Sequence, residues 1–291
     1  MRVLLSLVLC AGLAFGGFSA LKVMPGCREA GLGNTGVASA SGAHGIAWNP
    51  AAAAQVSDFS ADVSYAKWLL DSHQQSLFLV RNLKVLNAGL GVVGLTAGNF
   101  EHRNEVPTEE PLGLFRPTEY AFSLNLSRSF GRWVDAGVTG RYYYSKVLED
   151  AAHGPGVDLG VRAYPLNGLV VGASLVDFGK NLAYVRESYR LPTRARAGIS
   201  YSQCLGGRLH ANAELQGSYF VYTGTPNVHA GLEVGWSETV SVRAGCEWLG
   251  ERLRPGFGVG LAFGTFRFDY ALTLLNDDLG QAHRVAVGLG G

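Results

Sequence analysis

Alternation of apolar and polar residues runs through most of this chain. In residues 265–275 every second residue is apolar, from Phe266 to Leu274, while Arg267 and Asp269 lie between them. Residues 134–144 and 157–163 repeat the pattern. Successive side chains of a β-strand point to opposite faces, so each segment predicts a strand with one apolar and one polar environment. A soluble sandwich would also alternate, so the pattern alone leaves open what the apolar face contacts.

Fourteen such strands are predicted between turn residues. They lie near residues 59–67, 74–81, 86–97, 118–129, 132–146, 156–164, 168–178, 193–203, 207–220, 227–236, 239–249, 256–263, 265–275 and 281–290. Tight connections alternate with longer polar ones at 98–117, 146–156, 178–192 and 220–227. An even strand number with connections sorted in this way is typical of outer-membrane barrels, with both termini at the periplasmic end. We therefore predict an all-β, transmembrane outer-membrane β-barrel of antiparallel strands over residues 58–291.

The first twenty residues predict export. Arg2 precedes an apolar run over residues 3–15, and small residues follow, which is the order of a secretory signal peptide over residues 1–20. The run is shorter than the roughly 20 apolar residues of a helical span. Net charge is +1, so we expect no nucleic-acid partner. Cys27, Cys204 and Cys246 have neither a disulfide framework nor metal-ligand spacing, and we expect no metal and no cofactor.

Charged residues concentrate on the parity opposite to the apolar one. Arginine or lysine facing lipid at mid-bilayer would cost about 2–4 kcal/mol, so these side chains should face a wet or ion-paired lumen. The predicted lumen-lining residues are Arg141, Asp158, Arg162, Glu214, Glu233, Arg243, Arg267 and Asp269. For each of them, mutual ion pairing is the alternative to a role in transport.

Residues 21–57, between the signal and the first strand, are rich in Gly and Ala and lack strand alternation. Asn49-Pro50 predicts a turn, with Pro50 opening a short helix. The stretch Arg28-Glu29-Ala30-Gly31-Leu32-Gly33-Asn34-Thr35-Gly36, followed by Trp48-Asn49-Pro50-Ala51, resembles the opening of the PorV/PorQ family, a branch of the fatty-acid-transporter (FadL-like) outer-membrane barrels. The resemblance continues through Val157-Asp158-Leu159-Gly160, Leu175-Val176-Asp177-Phe178-Gly179 and Phe268-Asp269-Tyr270-Ala271.

The resemblance implies a fourteen-stranded barrel whose N-terminal segment folds into the lumen as a hatch. The implied hatch residues are Gly31, Gly33, Gly36, Trp48, Asn49, Pro50 and Ala51. Glycine would permit close backbone approach there. The chain departs from the family in ending Val-Gly-Leu-Gly-Gly rather than on an aromatic residue, and in lacking the large extracellular insertions of members that serve type IX secretion.

Three classes of function follow. The first is passage of a hydrophobic small molecule across the outer membrane, with lateral exit through a wall defect where Gly89, Gly91 and Gly94 weaken a strand. The alternative is a non-enzymatic interaction component of type IX secretion, with secretion-system proteins as partners. The third is an enzyme, which we do not expect, because His210, Ser241 and His283 show no catalytic constellation. In each case the barrel would lie in outer-membrane lipid.

Overall fold

A closed barrel of fourteen antiparallel strands dominates the computed structural model, which describes residues 22–103, 110–184, 188–275 and 279–290. The strands of the barrel are β1 (Phe59–Lys67), β2 (His73–Asn82), β3 (Asn87–Thr96), β6 (Thr118–Phe130), β7 (Val134–Val147), β8 (Asp150–Leu166), β9 (Leu169–Gly179), β12 (Arg194–Gly206), β13 (Leu209–Phe220), β14 (Thr225–Trp236), β15 (Val240–Leu249), β16 (Arg252–Phe263), β17 (Phe266–Leu274) and β18 (Gln281–Gly290). Two small hairpins pair β4 (Phe100–His102) with β5 (Gly113–Phe115) and β10 (Leu182–Ala183) with β11 (Ser188–Tyr189). The predicted fold class is confirmed.

Strands β18 and β1 close the barrel. They pair from Ser60–Gly290 to Lys67–His283, so the sheet has no unpaired edge between its first and last strands. We name the end of the barrel that holds Phe59 and Gly290 the turn end, and the opposite end the loop end. The predicted signal peptide, residues 1–20, lies outside the described residues.

Short helical elements accompany the barrel. Helix α1 (Cys27–Gly31) and two 3₁₀ turns, His44–Ala47 and Pro50–Gln55, precede β1, and a third, Leu69–Asp71, follows it. Pro50 occupies the first position of its turn, as the sequence predicts. None of the helices in the described residues is long and apolar enough to cross a membrane.

The outer face of the barrel is an apolar band. Val63, Leu90, Leu124 and Leu215 each expose more than half of their surface, whereas polar residues of the opposite parity, such as Asp62, Asn125 and Glu214, are buried. Aromatic side chains flank the band, with Trp133 among them at the turn end. Such a band with aromatic borders is the outer surface of a barrel that faces lipid.

Strand β8 begins earlier than the sequence predicts. The predicted loop over residues 146–156 is strand on both sides of a two-residue turn, because β7 and β8 pair from Val147–Asp150 onward. Residues 151–155 include Gly154 and Pro155 and carry no alternation, yet the ladder with β7 uses backbone groups and needs none. Residues 250–251 form another tight turn at the loop end. The sorting of connections by length is therefore only partial.

Strand β3 forms unbroken ladders with both neighbours. Its residues pair one for one with β2 and with β6, without a register shift. Gly89 and Gly91 lie opposite Val80 and Phe78, and a Cβ at Gly91 would come within 2.6 Å of the Phe78 ring. Gly94 contacts only the ring of a neighbouring tyrosine. These continuous ladders argue against a wall defect at the three glycines. A register shift occurs instead between β8 and β9.

Candidate functional site

Residues 22–57, which we name the hatch segment, lie inside the barrel. Its polar groups bond inward-facing side chains on all sides of the wall. Among these partners are Asn125 on β6, Arg162 on β8, Gln216 on β13 and Arg284 on β18. A segment that contacts the inner faces of opposite strands must occupy the lumen between them. A role as a plug remains a prediction.

The three predicted glycines of the hatch segment are points of close approach. A Cβ at Gly31 would lie 3.0 Å from the backbone of Gly258, and a Cβ at Gly36 would lie 2.7 Å from the Trp48 ring. Gly33 has a φ of +69° and abuts the backbone of Cys246, so no other residue fits there without a shift. At these three positions the hatch backbone touches the wall or itself.

Asn49 anchors the Asn-Pro-Ala turn. Its Oδ1 accepts a hydrogen bond from the Ala51 amide at 3.0 Å, which caps the 3₁₀ turn that Pro50 opens. Its Nδ2 lies 2.9 Å from the carbonyl oxygen of Val37 and 3.1 Å from that of Val161 on β8. One side chain thus ties the turn to the hatch segment and to the wall.

Four barrel side chains satisfy backbone groups of the hatch segment. Gln216 Oε1 accepts from the amides of Gly36 and Val37, and Glu214 accepts from the amide of Ala38 at 3.3 Å. Arg162 donates to the carbonyl oxygens of Gly36 and Val37, and Arg196 donates to that of Trp48 at 3.1 Å. Because a buried irregular segment cannot leave its backbone groups unpaired, these side chains replace the bonds of a regular element.

A closed ring of eight alternating charges joins the hatch segment to the turn-end half of the wall. Around the ring the residues are Arg28, Glu233, Arg243, Asp269, Arg267, Asp62, His44 and Glu29. Arg28 binds both carboxylate oxygens of Glu233, at 3.0 and 2.8 Å. His44 lies between Glu29, 3.1 Å from Nε2, and Asp62, 3.3 Å from Nδ1. With four charges of each sign, the ring is neutral as a whole.

The pKa values of the hatch members of the ring follow from this arrangement. Burial would lower the pKa of His44, but the charges of Glu29 and Asp62 outweigh burial and raise it to about 10. Burial would raise the pKa of Glu29, but His44 and Arg28 outweigh it and lower the pKa to about 2. Burial would lower the pKa of Arg28, but the charge of Glu233 outweighs burial and raises the pKa of Arg28. All three side chains are charged at neutral pH.

Two further predicted lumen residues, Arg141 and Asp158, form a second group toward the loop end. Arg141 pairs with Asp158, and its Nε lies 3.8 Å from Asp177 Oδ1. The Asp177 amide donates to Asp158 at 2.7 Å, and the Tyr143 hydroxyl donates to the Asp177 carboxylate at 2.9 Å. This group lies at the register shift of β8 and β9. All eight predicted lumen residues therefore face inward, and six of them are ion-paired.

An apolar strip interrupts the polar inner wall. It consists of Leu95 and Val93 on β3 and Phe78 and Val80 on β2, all buried. At the loop end Leu95 belongs to a cluster with Tyr143, Leu182 and Leu191. The other three pack against Ile46, Ala47 and Trp48 of the hatch segment. The strip thus runs along the wall from the loop end to the hatch segment.

Solved structures of toluene transporters and of a FadL homologue share this architecture. The Ralstonia pickettii toluene transporter TbuX is 13% identical, with a TM-score of 0.63 over 91% of this chain and 97% of that chain. The Pseudomonas putida toluene transporter TodX is 12% identical, with a TM-score of 0.65 over 92% and 98%. A Pseudomonas aeruginosa FadL homologue is 12% identical, with a TM-score of 0.59 over 91% and 98%. This chain has the FadL-like fold. No protein family and no curated protein matches it by sequence.

Sequence reasoning missed the inner-wall glycines of this FadL-like barrel. A Cβ at Gly137 would collide with the backbone of Pro50, one at Gly160 with Asn49 and Pro50, and one at Gly172 with Val37. Gly137 and Gly160 allow the Asn-Pro-Ala turn to pack directly against the wall, and Gly172 allows the same for Val37. Their inward parity was a usable signal, because glycine in place of a charged or polar residue on that parity marks close approach of another backbone.

Proposed function

We propose that this protein is a non-enzymatic outer-membrane barrel that passes a hydrophobic small molecule, with residues 22–57 as its plug and both termini periplasmic. The observation that carries the proposal is the apolar strip of Phe78, Val80, Val93 and Leu95, which provides a track for an apolar solute in a polar lumen. The printed descriptions of the neighbours, toluene transporters and a monoaromatic hydrocarbon channel, support this class of solute.

Two features support the outer-membrane location. The exposed apolar band would be unfavourable in water, and its aromatic borders fit the two interfaces of a bilayer. Of the residues considered for catalysis, His283 bonds Tyr270 on the outer face and is separated by the wall from the other two. His210 and Ser241 line one lumen cavity, and the Ser241 hydroxyl accepts from Arg243. A serine held by an arginine supports a barrel without that catalytic chemistry.

The hatch segment leaves two cavities at the turn end, of about 330 and 190 Å³, and both are lined by Arg28 and Glu233. The Arg28–Glu233 ion pair therefore borders both cavities. Undocking of the hatch segment would be needed to connect the apolar strip with these two cavities. We infer that passage requires at least a partial release of the charge ring.

The alternative is membership of the PorV/PorQ branch with a role in type IX secretion. The observation that favours it is the filled lumen, which would suit a scaffold that presents its surface to secretion-system proteins. The Gly-rich stretch and the Asn-Pro-Ala turn support membership of that branch. A scaffold role of this kind does not require passage of a solute.

Two measurements separate these functions. Deletion of residues 22–57 should leave a folded, heat-modifiable barrel, because the strands carry their own ladder, and should raise single-channel conductance in planar bilayers. A folded deletion variant that stays as closed as the parent would favour the scaffold.

The second measurement is uptake of radiolabelled toluene by cells that express the chain. Val93→Asn places an amide on the strip and should reduce uptake severalfold, whereas Val92→Asn, on the outer face of the same strand, should not. Equal uptake by both variants and by cells without the barrel would argue against transport of this solute class.

A further inference from the structure

A small cavity of about 30 Å³ lies at the loop end of the lumen, between the hatch segment and the wall. Its lining includes Lys22 of the hatch segment and Arg194, Arg254 and Arg284 from three strands, with Glu247 as the one carboxylate among the described lining residues. The cavity is separate from the charge ring and from the apolar strip, and the proposed passage of a hydrophobic molecule does not use it.

The charge of this cavity is not balanced. The ring at the turn end contains equal numbers of acids and bases, whereas three arginines here face one carboxylate, an excess of two positive charges. Lys22 is exposed and has Glu119 nearby, so it does not add to this excess. Glu247 is already engaged, since its Oε2 accepts from Asn34 at 2.9 Å and its Oε1 lies 3.8 Å from His229. Buried charges without counter-charges are costly, and in folded proteins such charges are normally paired.

Two of the arginines present donors with no acceptor in the described protein. Arg284 is 3% exposed, and although it donates to the carbonyl of Met24 and lies over the Trp68 ring, its Nε has no partner. The buried Nε of Arg254 also has none, although Arg254 stands opposite Glu247 in the ladder of β15 and β16. Buried guanidinium donors are normally satisfied, so these two nitrogens indicate a missing acceptor.

We propose that this cavity binds one multivalent oxyanion of the phosphate class. Such an ion offers several acceptor oxygens in different directions and a charge that offsets most of the excess. A carboxylate carries a single charge and would leave one positive charge uncompensated. The volume admits one small group, since a single water needs roughly 10–15 Å³ of comparable space.

The bound ion would connect the hatch segment to the wall. Lys22 and Asn34 belong to the hatch segment, and Arg284 holds the carbonyl of Met24, while Arg194 and Arg254 belong to β12 and β16. An anion among them bridges the two parts at the end opposite the charge ring. We therefore expect phosphate to stabilise the docked hatch segment as well as to bind.

The test is isothermal titration of the mature barrel in detergent micelles with inorganic phosphate. The protein is purified in chloride without phosphate or sulfate, and ionic strength is held constant, because screening alone would alter the result. Arg254→Gln should weaken phosphate binding about tenfold or more, the effect of one charge-assisted hydrogen bond. Arg162→Gln is the matched control, since Arg162 is a buried lumen arginine that binds hatch carbonyls outside this cavity. Acetate titration provides the monovalent comparison.

Phosphate binding that exceeds acetate binding and is lost in Arg254→Gln but kept in Arg162→Gln would support the site. Absence of phosphate binding by the parent up to 10 mM would overturn it; this limit corresponds to an affinity weaker than about 3 kcal/mol. Equal binding of acetate would overturn the phosphate class in favour of a carboxylate, and equal loss in both variants would indicate a general effect of lumen charge. Should Arg254→Gln fail to fold, the phosphate affinities of the parent and of Arg254→Lys still test the site. None of these results depends on whether the barrel transports toluene.

Discussion

His44→Gln should weaken the attachment of the hatch segment to the barrel wall. Glutamine is similar in size but carries no charge, so Glu29 and Asp62 would lose the cation that lies 3.1 and 3.3 Å from them. Arg28 remains 3.6 Å from Glu29, and Arg267 remains 3.5 Å from Asp62, so each acid keeps a weaker partner. Removal of one member of a buried ion pair costs about 3–5 kcal/mol, and we expect a loss near the lower end of that range.

The pH dependence gives a sharper test. The pKa of His44 is about 10 in the folded protein and roughly 6.5 in an unfolded chain. Because the folded value is the higher one, the stabilisation is fully present below pH 6.5 and is lost as pH rises through 10. Linkage predicts that about 3 kcal/mol of the free energy of unfolding disappears between pH 8 and pH 11.

The assay is urea unfolding in detergent micelles, followed by tryptophan fluorescence at several pH values. The difference in unfolding free energy between parent and His44→Gln should shrink across that interval, since other titrating groups are common to both proteins. His153→Gln is the control, because His153 bonds Tyr142 on the outer face and lies outside the ring. A difference that stays constant from pH 8 to pH 11 would refute a charged His44.

Three further substitutions test the wall and the turn. Val138→Arg places a charge on the lipid face and should cost about 2–4 kcal/mol in a refolding assay, whereas Leu205→Arg, at the turn end, should cost little. Gly160→Val should displace the Asn-Pro-Ala turn and lower the melting temperature, while Gly140→Val meets open space and should leave it unchanged. Asn49→Ala removes the cap and the donor to two carbonyls, and should cost about 2 kcal/mol by urea unfolding.

The strand pattern of this chain could be read from the sequence because a barrel wall has two different sides. Each strand places alternate residues in lipid and in the lumen, so the charges of Arg267 and Asp269 reveal the inward parity without any knowledge of neighbours. Where the two parities do not differ in polarity, as in residues 151–155, the same reasoning missed the start of β8. Gly31, Gly33 and Gly36 could also be singled out, because glycine marks close backbone approach wherever it occurs in a run.

The partners of the inward residues were decided by the tertiary structure alone. Alternation states that Glu233 faces the lumen but not that Arg28, 205 residues earlier in the chain, binds it. Likewise, Arg243 is neutralised in the ring, whereas Arg254, on the adjacent strand and the same side of the wall, has no ion pair among the described residues. By itself the sequence determined the barrel and the side of the wall each residue occupies, since local periodicity encodes both. The charge balance of the lumen depends on how the hatch segment lies across distant strands, and only the folded structure brings those strands together.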